Sequence, residues 1–325
     1  MRLGGSSSPF TGVRRLGLGG MALGGAYGPI DHAEAVRLVQ QALDAGVVLL
    51  DTADASRGGR VRRIVGQAVA SRRDEALIAV HSRPFGAGAV TRVDSRGLVD
   101  DCEEALRQLG VDHIDLYVVH LRGLRVPIEE QMGELAGLLE AGKIRRIGVG
   151  GVSGDELVRA HAIHPVAVVA AEYSLWQRQA ERDLLPLARR RGIGLMACQP
   201  LGRGLLTGRI TDPTQLSAED LRHTDPCFSV EKLSAVRSSL RVLEAVAADM
   251  SIGAGRLALA WLLSCGEDII PVPSTRDRVH LEMNLSARDL RLTRETQHRL
   301  STIFSASSEA REEEQMDLTS CPGLN

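Results

Sequence analysis

One feature constrains this chain more than any other. Short β-rich runs and amphipathic segments alternate eight times along its length. Clusters of Val, Ile, Leu and Ala predict strands over residues 15–18, 47–50, 76–80, 114–119, 144–149, 166–171, 193–197 and 269–272. The segments between them read as helices with recognisable ends. Asp31 caps the first, Glu34 follows three residues later in the manner of a capping box, and Gly46 stops it. Val36, Val39 and Leu43 form its apolar face. Ser95 opens a later helix striped by Leu98, Cys102, Leu106 and Leu109 and ended by Gly110; residues 180–191 end in the same way at Gly192.

Eight such units in roughly 280 residues fit an α/β (β/α)8 barrel better than a doubly wound sheet. The glycines of "GLGGMALGG" have no clear helix behind them, so the dinucleotide-binding G-x-G-x-x-G turn is not expected. Residues 207–232 predict a polar insertion interrupted by Pro213 and Pro226, and an extra helix is expected over 232–250. The expected organisation is one barrel domain over 1–305 and an irregular acidic tail over 306–325.

Composition excludes several classes. Apolar residues make up 44% and charged residues 25%, enough for a soluble domain with a sizeable core. A net charge of −2 gives no electrostatic case for nucleic acid or an anionic membrane. No run approaches the roughly 18 apolar residues of a membrane span, and "MRLGGSSSPF" lacks a signal-peptide core. Five scattered cysteines without a C-x-x-C argue against a disulfide framework or structural zinc. A cytoplasmic protein with a small-molecule substrate is expected.

Barrel chemistry sits where the strands end. Those positions hold Asp51, His81, His120, Gly150-Gly151, Glu172-Tyr173, Cys198-Gln199 and Ser274-Thr275. Any one of them reads equally well as a local loop contact. A carboxylate and two imidazoles on successive strands read as a proton-handling site. They are also the ligand types of a two-histidine, one-carboxylate metal centre, but no supporting partner is legible and no metal is expected. Cys198 reads as a small buried filler rather than a nucleophile.

The segments "RRLGLGGMALGGAYGP", "ALDAGVVLLDTAD", "IDLYVVH", "IRRIGVG", "EYSLWQR", "PLGRGLLTG", "LALAWLL" and "IIPVPSTR…LEMNL" resemble, in order and spacing, the aldo-keto reductase family over roughly residues 13–305. The resemblance implies a barrel that reduces carbonyls with NADPH, using a tyrosine, an aspartate, a lysine and a histidine. Asp51 matches the aspartate and His120 the histidine. Ser56 stands where the resemblance places the tyrosine, and His81 where it places the lysine. The serine–asparagine pair that holds the nicotinamide amide falls on Gly150 and Gly151, the glutamine on Ala170, the ring-stacking tyrosine on Cys198, and a 2′-phosphate arginine on His280. The phosphate side is kept as Leu201, Gly202, Arg203 and Gly204, with Ser274, Thr275, Arg276 and Asn284.

These replacements decide the expected chemistry. Hydride transfer needs an acid that protonates the developing alkoxide, and an aliphatic hydroxyl is a far weaker acid than a phenol. It also needs the nicotinamide held at near-attack distance. The leading expectation is therefore a non-redox enzyme needing no cofactor, which abstracts a proton beside a carbonyl and drives dehydration, isomerisation or cyclisation of an oxygenated metabolite in bacterial specialised metabolism. Asp51 would orient His81 as base, with His120 or Tyr27 as acid or oxyanion partner. The plainer reading of Tyr27 is pocket wall. Arg122, Trp176, Cys198 and Gln199 are the expected substrate-pocket residues. Two alternatives stay open: an NADPH-dependent oxidoreductase with His120 as acid, and a catalytically silent ligand-binding protein.

Overall fold

The computed structural model describes residues 15–54, 58–82, 96–121, 126–210, 212, 214 and 216–304. Ser56, Arg122, Ser95, Pro213 and the tail over 306–325 lie outside the described residues. Among the described residues seven strands run parallel in one sheet in chain order: β1 (Leu49–Asp51), β2 (Leu77–His81), β3 (Leu116–His120), β4 (Ile147–Gly150), β5 (Val166–Glu172), β6 (Gly194–Cys198) and β7 (Ile269–Pro271). The helices are α1 (His32–Asp44), α2 (Arg60–Val69), α3 (Arg96–Leu109), α4 (Ile128–Glu140), α5 (Gly154–Ile163), α6 (Leu184–Arg190), α7 (Val230–Asp249), α8 (Ala254–Ser264), α9 (Arg278–Ser286) and α10 (Arg294–Ile303).

The sheet curls until residues 17–19 join its two edges. Gly17 N donates to Pro271 O at 2.9 Å and Gly19 N to Pro273 O at 3.0 Å. On the other side Leu18 N donates to Leu49 O and Asp51 N to Leu18 O, both at 2.9 Å. This is the first predicted strand, reduced to single bridges from Leu18 to Leu50 and from Gly19 to Ser274. Glycine is needed there. A Cβ on Gly19 would lie 2.6 Å from Val272 O, and one on Gly17 would lie 2.9 Å from Val272 Cγ1.

Strand side chains alternate between two apolar layers. Leu49, Leu77, Ala79, Leu116, Val118, Val168, Ala170, Met196, Ile270 and Val272 fill the barrel interior. Leu50, Ile78, Val80, Tyr117, Val119, Val149, Val169, Leu195 and Ala197 pack outward against the helices. Continuing the inward set by one step at each strand end gives Asp51, His81, His120, Gly150, Glu172 and Cys198. These residues therefore converge above the interior core.

Several expected boundaries move. The strands expected to stop at 50, 80, 119 and 197 each run one residue further, so Asp51, His81, His120 and Cys198 are paired strand residues rather than loop residues. Asp31 Oδ1 accepts from Glu34 N at 3.1 Å, so one half of the expected capping box forms. Gly46, at φ 77°, ends the turn. The helix expected over 180–191 is split: a short turn covers Gln179–Glu181 and α6 begins after Asp183, whose carboxylate accepts from Leu184 N. Within the polar insertion expected over 207–232, carboxylates accept from nearby backbone: Asp220 from Arg222 N and Asp225 from Cys227 N.

Candidate active site

At the mouth of the barrel the two imidazoles and the carboxylate form a chain. His81 Nε2 lies 2.9 Å from Asp51 Oδ1, and His81 Nδ1 lies 2.8 Å from His120 Nε2. The carboxylate oxygen sits off the ring N–H direction, so the first contact is close in distance and imperfect in alignment. The rings of His81 and His120 are stacked, with centroids 5.1 Å apart and planes inclined by 25°. Asp51 and His81 are 5% and 7% exposed, which takes this contact out of bulk water.

A neighbouring carboxylate puts a proton on His81 Nε2. The neutral ring then accepts from His120 through Nδ1, whereas the protonated ring donates to it; these tautomers are assigned from the network. Burial, reinforced by the His81 charge, pushes the pKa of His120 down to about 3. His120 is thus neutral near pH 7. The His120 ring lies over Gly150, where a Cβ would come within 2.6 Å of its Cε1. Glycine at 150 is what lets the ring take this position.

Beside this chain lies a second charged group. Arg203, its side chain 8% exposed, is 3.5 Å from Glu172 and 3.4 Å from Asp225. Arg222 donates to Arg203 O at 2.9 Å, pairs with Asp220 at 2.5 Å, and stacks over the Tyr27 ring at 4.6 Å. Tyr27 bridges to Asp220 through its backbone. Burial raises the Tyr27 pKa, with Arg203 and Arg222 opposing. Its contacts run to this arginine group. Burial, with Asp51 and Glu172 adding to it, pushes the Cys198 thiol up, which disfavours a thiolate there.

The remaining predicted residues divide. Trp176 is buried and packs on Gly202, whose Cβ would lie 3.0 Å from the indole. The turn over 199–204 is conformationally unusual: Gln199 and Arg203 are non-glycine residues at φ 49° and 53°, and Gly202 and Gly204 also have positive φ. Gln199 Oε1 is buried without a hydrogen-bond partner among the described residues, whereas Arg203 Nη1 has the Glu172 carboxylate as its ion-pair partner. Non-glycine residues in the left-handed region are held there at a free-energy cost that the surrounding packing must offset. Ser274 Oγ accepts from Ala22 N at 2.6 Å, Arg276 Nη1 donates to Pro29 O at 3.1 Å, Thr275 Oγ1 accepts from Asp277 N at 3.1 Å, and Asn284 is buried on α9.

Sequence reasoning missed Arg62 and Asp225 as members of this region, and placed Glu172 at a strand end without giving it a partner. Arg62 carried a signal: it lies three, four and seven residues before Val65, Gly66 and Val69, on a buried stripe of α2.

An eight-fold barrel with acid–base groups at its strand ends defines a class of enzyme-like (β/α)8 proteins. Within that class the chain belongs to the aldo/keto reductase family, whose model matches residues 15–303. It is 35% identical over 296 residues to probable aldo-keto reductase 1 of Glycine max, covering 86% of this chain and 82% of that one. Among solved structures it resembles a glycerol dehydrogenase from Gluconobacter oxydans, with TM-score 0.79, 28% identity and 90% and 91% of the two chains covered. It also resembles an aldo/keto reductase from Klebsiella pneumoniae in complex with NADP and acetate, with TM-score 0.69, 25% identity and 90% and 92% coverage.

These findings correct one expectation. A cofactor-free enzyme was expected, yet the Klebsiella relative is a complex with NADP, and a second structure of an aldo-keto reductase from that organism contains NADPH. The relatives are named as reductases and a dehydrogenase, which gives the lyase and dehydratase expectation no support. Among the described residues no single helix is long and apolar enough to cross a membrane.

Proposed function

We propose that this protein is an NADPH-dependent oxidoreductase of small carbonyl compounds in which Asp51, His81 and His120 form the proton relay. The observation that carries the reading is the position of His81, 2.9 Å from the Asp51 carboxylate and 2.8 Å from His120 Nε2. Support for the cofactor comes from the relatives and from the strained 199–204 turn with its unsatisfied Gln199 amide oxygen. Leu201, Gly202, Arg203, Gly204, Ser274, Thr275, Arg276 and Asn284 are the residues proposed to hold it. NADPH, when bound, supplies the hydride equivalent.

The protein's own residues then manage the proton. Asp51 fixes the His81 tautomer and balances the imidazolium. His81 passes the proton from Nδ1 to His120 Nε2, and His120 releases the proton on its Nδ1 to the substrate oxygen as charge develops there. A low proton affinity at His120 suits this transfer, because the proton does not lodge at the mouth. Ser56 is not given the acid role in this reading.

A second reading is favoured by one observation: Gly150 and Gly151 offer no side chain to a nicotinamide amide, and the His120 ring covers Gly150. On that reading the relay serves proton abstraction beside a carbonyl with NADP(H) bound and unreacting.

A fluorescence titration with NADPH, followed by a carbonyl screen for NADPH oxidation, separates the two. Micromolar binding with oxidation supports the oxidoreductase, and binding without oxidation moves weight to the second reading. Absence of binding at millimolar NADPH overturns both.

A further inference from the structure

The relay faces the barrel interior; behind it, on the helix side of the sheet, is a charged group that the chemistry above does not use. Arg62, on α2, is 5% exposed. Its Nη2 donates to the main-chain carbonyl oxygen of His81 at 3.0 Å. The same guanidinium pairs with Asp101 on α3, with Nη1 at 3.3 Å and Nη2 at 3.4 Å from Oδ1. Asp101 Oδ2 in turn accepts from the Tyr117 hydroxyl at 2.9 Å, and that hydroxyl also lies 3.3 Å from Leu98 O. Tyr117 belongs to β3, three residues before His120. The group thus clamps β2 at the residue bearing one imidazole and leads to the strand bearing the other.

A charged pair this buried is a poor way to gain stability, because the desolvation of both ions offsets their attraction. An apolar pair between α2 and α3 would seal the same gap. What apolar residues cannot supply is a donor for the His81 carbonyl. That carbonyl is the last of β2, and its direction sets where the Cα–Cβ bond of His81 points. The guanidinium is a planar fork, able to meet the carbonyl and the carboxylate at once.

We infer that Arg62, locked by Asp101 and Tyr117, is the positioning residue of His81: it fixes the exit of β2 so that the imidazole spans Asp51 and His120. The inference rests on the relay proposed above. Arg62 touches neither substrate nor cofactor in this role and acts only through the His81 backbone.

The test uses the whole chain and reads the imidazoles directly. Arg62→Met with Asp101→Leu removes both charges together, so neither is left buried alone, and this double variant is expected to fold. Imidazole nitrogen NMR shifts of His81 and His120, assigned with His81→Gln and His120→Gln, are expected to move as the hydrogen bond between the rings lengthens. The kcat for carbonyl reduction is expected to fall by about 10- to 100-fold, with the KM for NADPH unchanged. Arg62→Lys keeps the charge but cannot span both acceptors; it is expected to move the same shifts less and to retain part of the activity.

Wild-type imidazole shifts in either folded variant would overturn the inference. If the double variant does not fold, Arg62→Lys alone decides it by the same shifts. Absence of NADPH oxidation by the wild-type protein would count against the oxidoreductase reading, and the imidazole shifts would still judge Arg62.

Discussion

At the scale of single residues the site depends on what surrounds His120 as much as on His120 itself. Removing His81 breaks the only link from Asp51 to the mouth that the relay contains. His81→Ala is expected to lower kcat by about two to four orders of magnitude, the usual worth of a positioned general acid–base group, with NADPH affinity kept. Steady-state kinetics beside a binding titration check this. Gly150→Ala tests the same relay from outside: a methyl group 2.6 Å from Cε1 must displace the His120 ring. Activity should fall much as in His120→Ala while the fold persists. A Gly150→Ala variant with wild-type kcat would show that the ring position is unimportant. Much of this site was legible, because Asp51, His81 and His120 each follow an apolar run and barrel topology sends strand ends to one place. Arg62 was hidden in a run of three arginines within four residues, where charge reads as a solvated face. The Glu172–Arg203–Asp225 group joins residues far apart in sequence, a relation no local pattern carries.

At the scale of elements, helix α2 must come close to the end of α3 for Arg62 to reach both His81 and Asp101. Gly66 permits it. A Cβ there would sit 2.2 Å from Leu109 O and 2.8 Å from Leu109 Cα. Gly66→Ala is expected to cost about 1–3 kcal/mol through overpacking against main chain, measured by denaturant unfolding. It should also disturb activity, since the helix that moves carries Arg62. Element existence was readable almost throughout, because periodicity two or three-and-a-half survives in the sequence. Element ends were less so. Histidine and aspartate are weak strand formers by composition, so the predicted strands stopped short of the residues that matter. Asp183 and Pro186 split a helix that apolar spacing alone would continue.

At the scale of the whole molecule, His120 ties chemistry to stability. Its pKa is about 3 when folded, against about 6.5 in an unfolded chain. Above pH 6.5 both states hold it neutral and it contributes no pH dependence. Between pH 6.5 and 3 the unfolded chain gains a proton that the folded chain refuses, so stability falls as pH falls. The slope from this residue is at most about 1.4 kcal/mol per pH unit. His120→Gln should flatten the decline in unfolding free energy between pH 7 and 4 relative to the wild type. An unchanged pH profile in that variant would show that His120 titrates normally in the fold.

The seam formed by residues 17–19 has a consequence in time. Leu18 can meet Leu49 as soon as both have been made, but Gly17 and Gly19 bond to Pro271 and Pro273, some 250 residues later. Arg15 likewise reaches across to Leu263 O at 2.5 Å. A chain emerging from the ribosome therefore carries its first stave with one edge unmatched until nearly all of the barrel has followed. Contacts so distant along the chain are entropically expensive and form late. Until the last strand arrives, β1 and its small partner present a bare edge of the kind other chains can pair with. The glycines that let the seam close keep it short, and a short edge is a poor template during that wait.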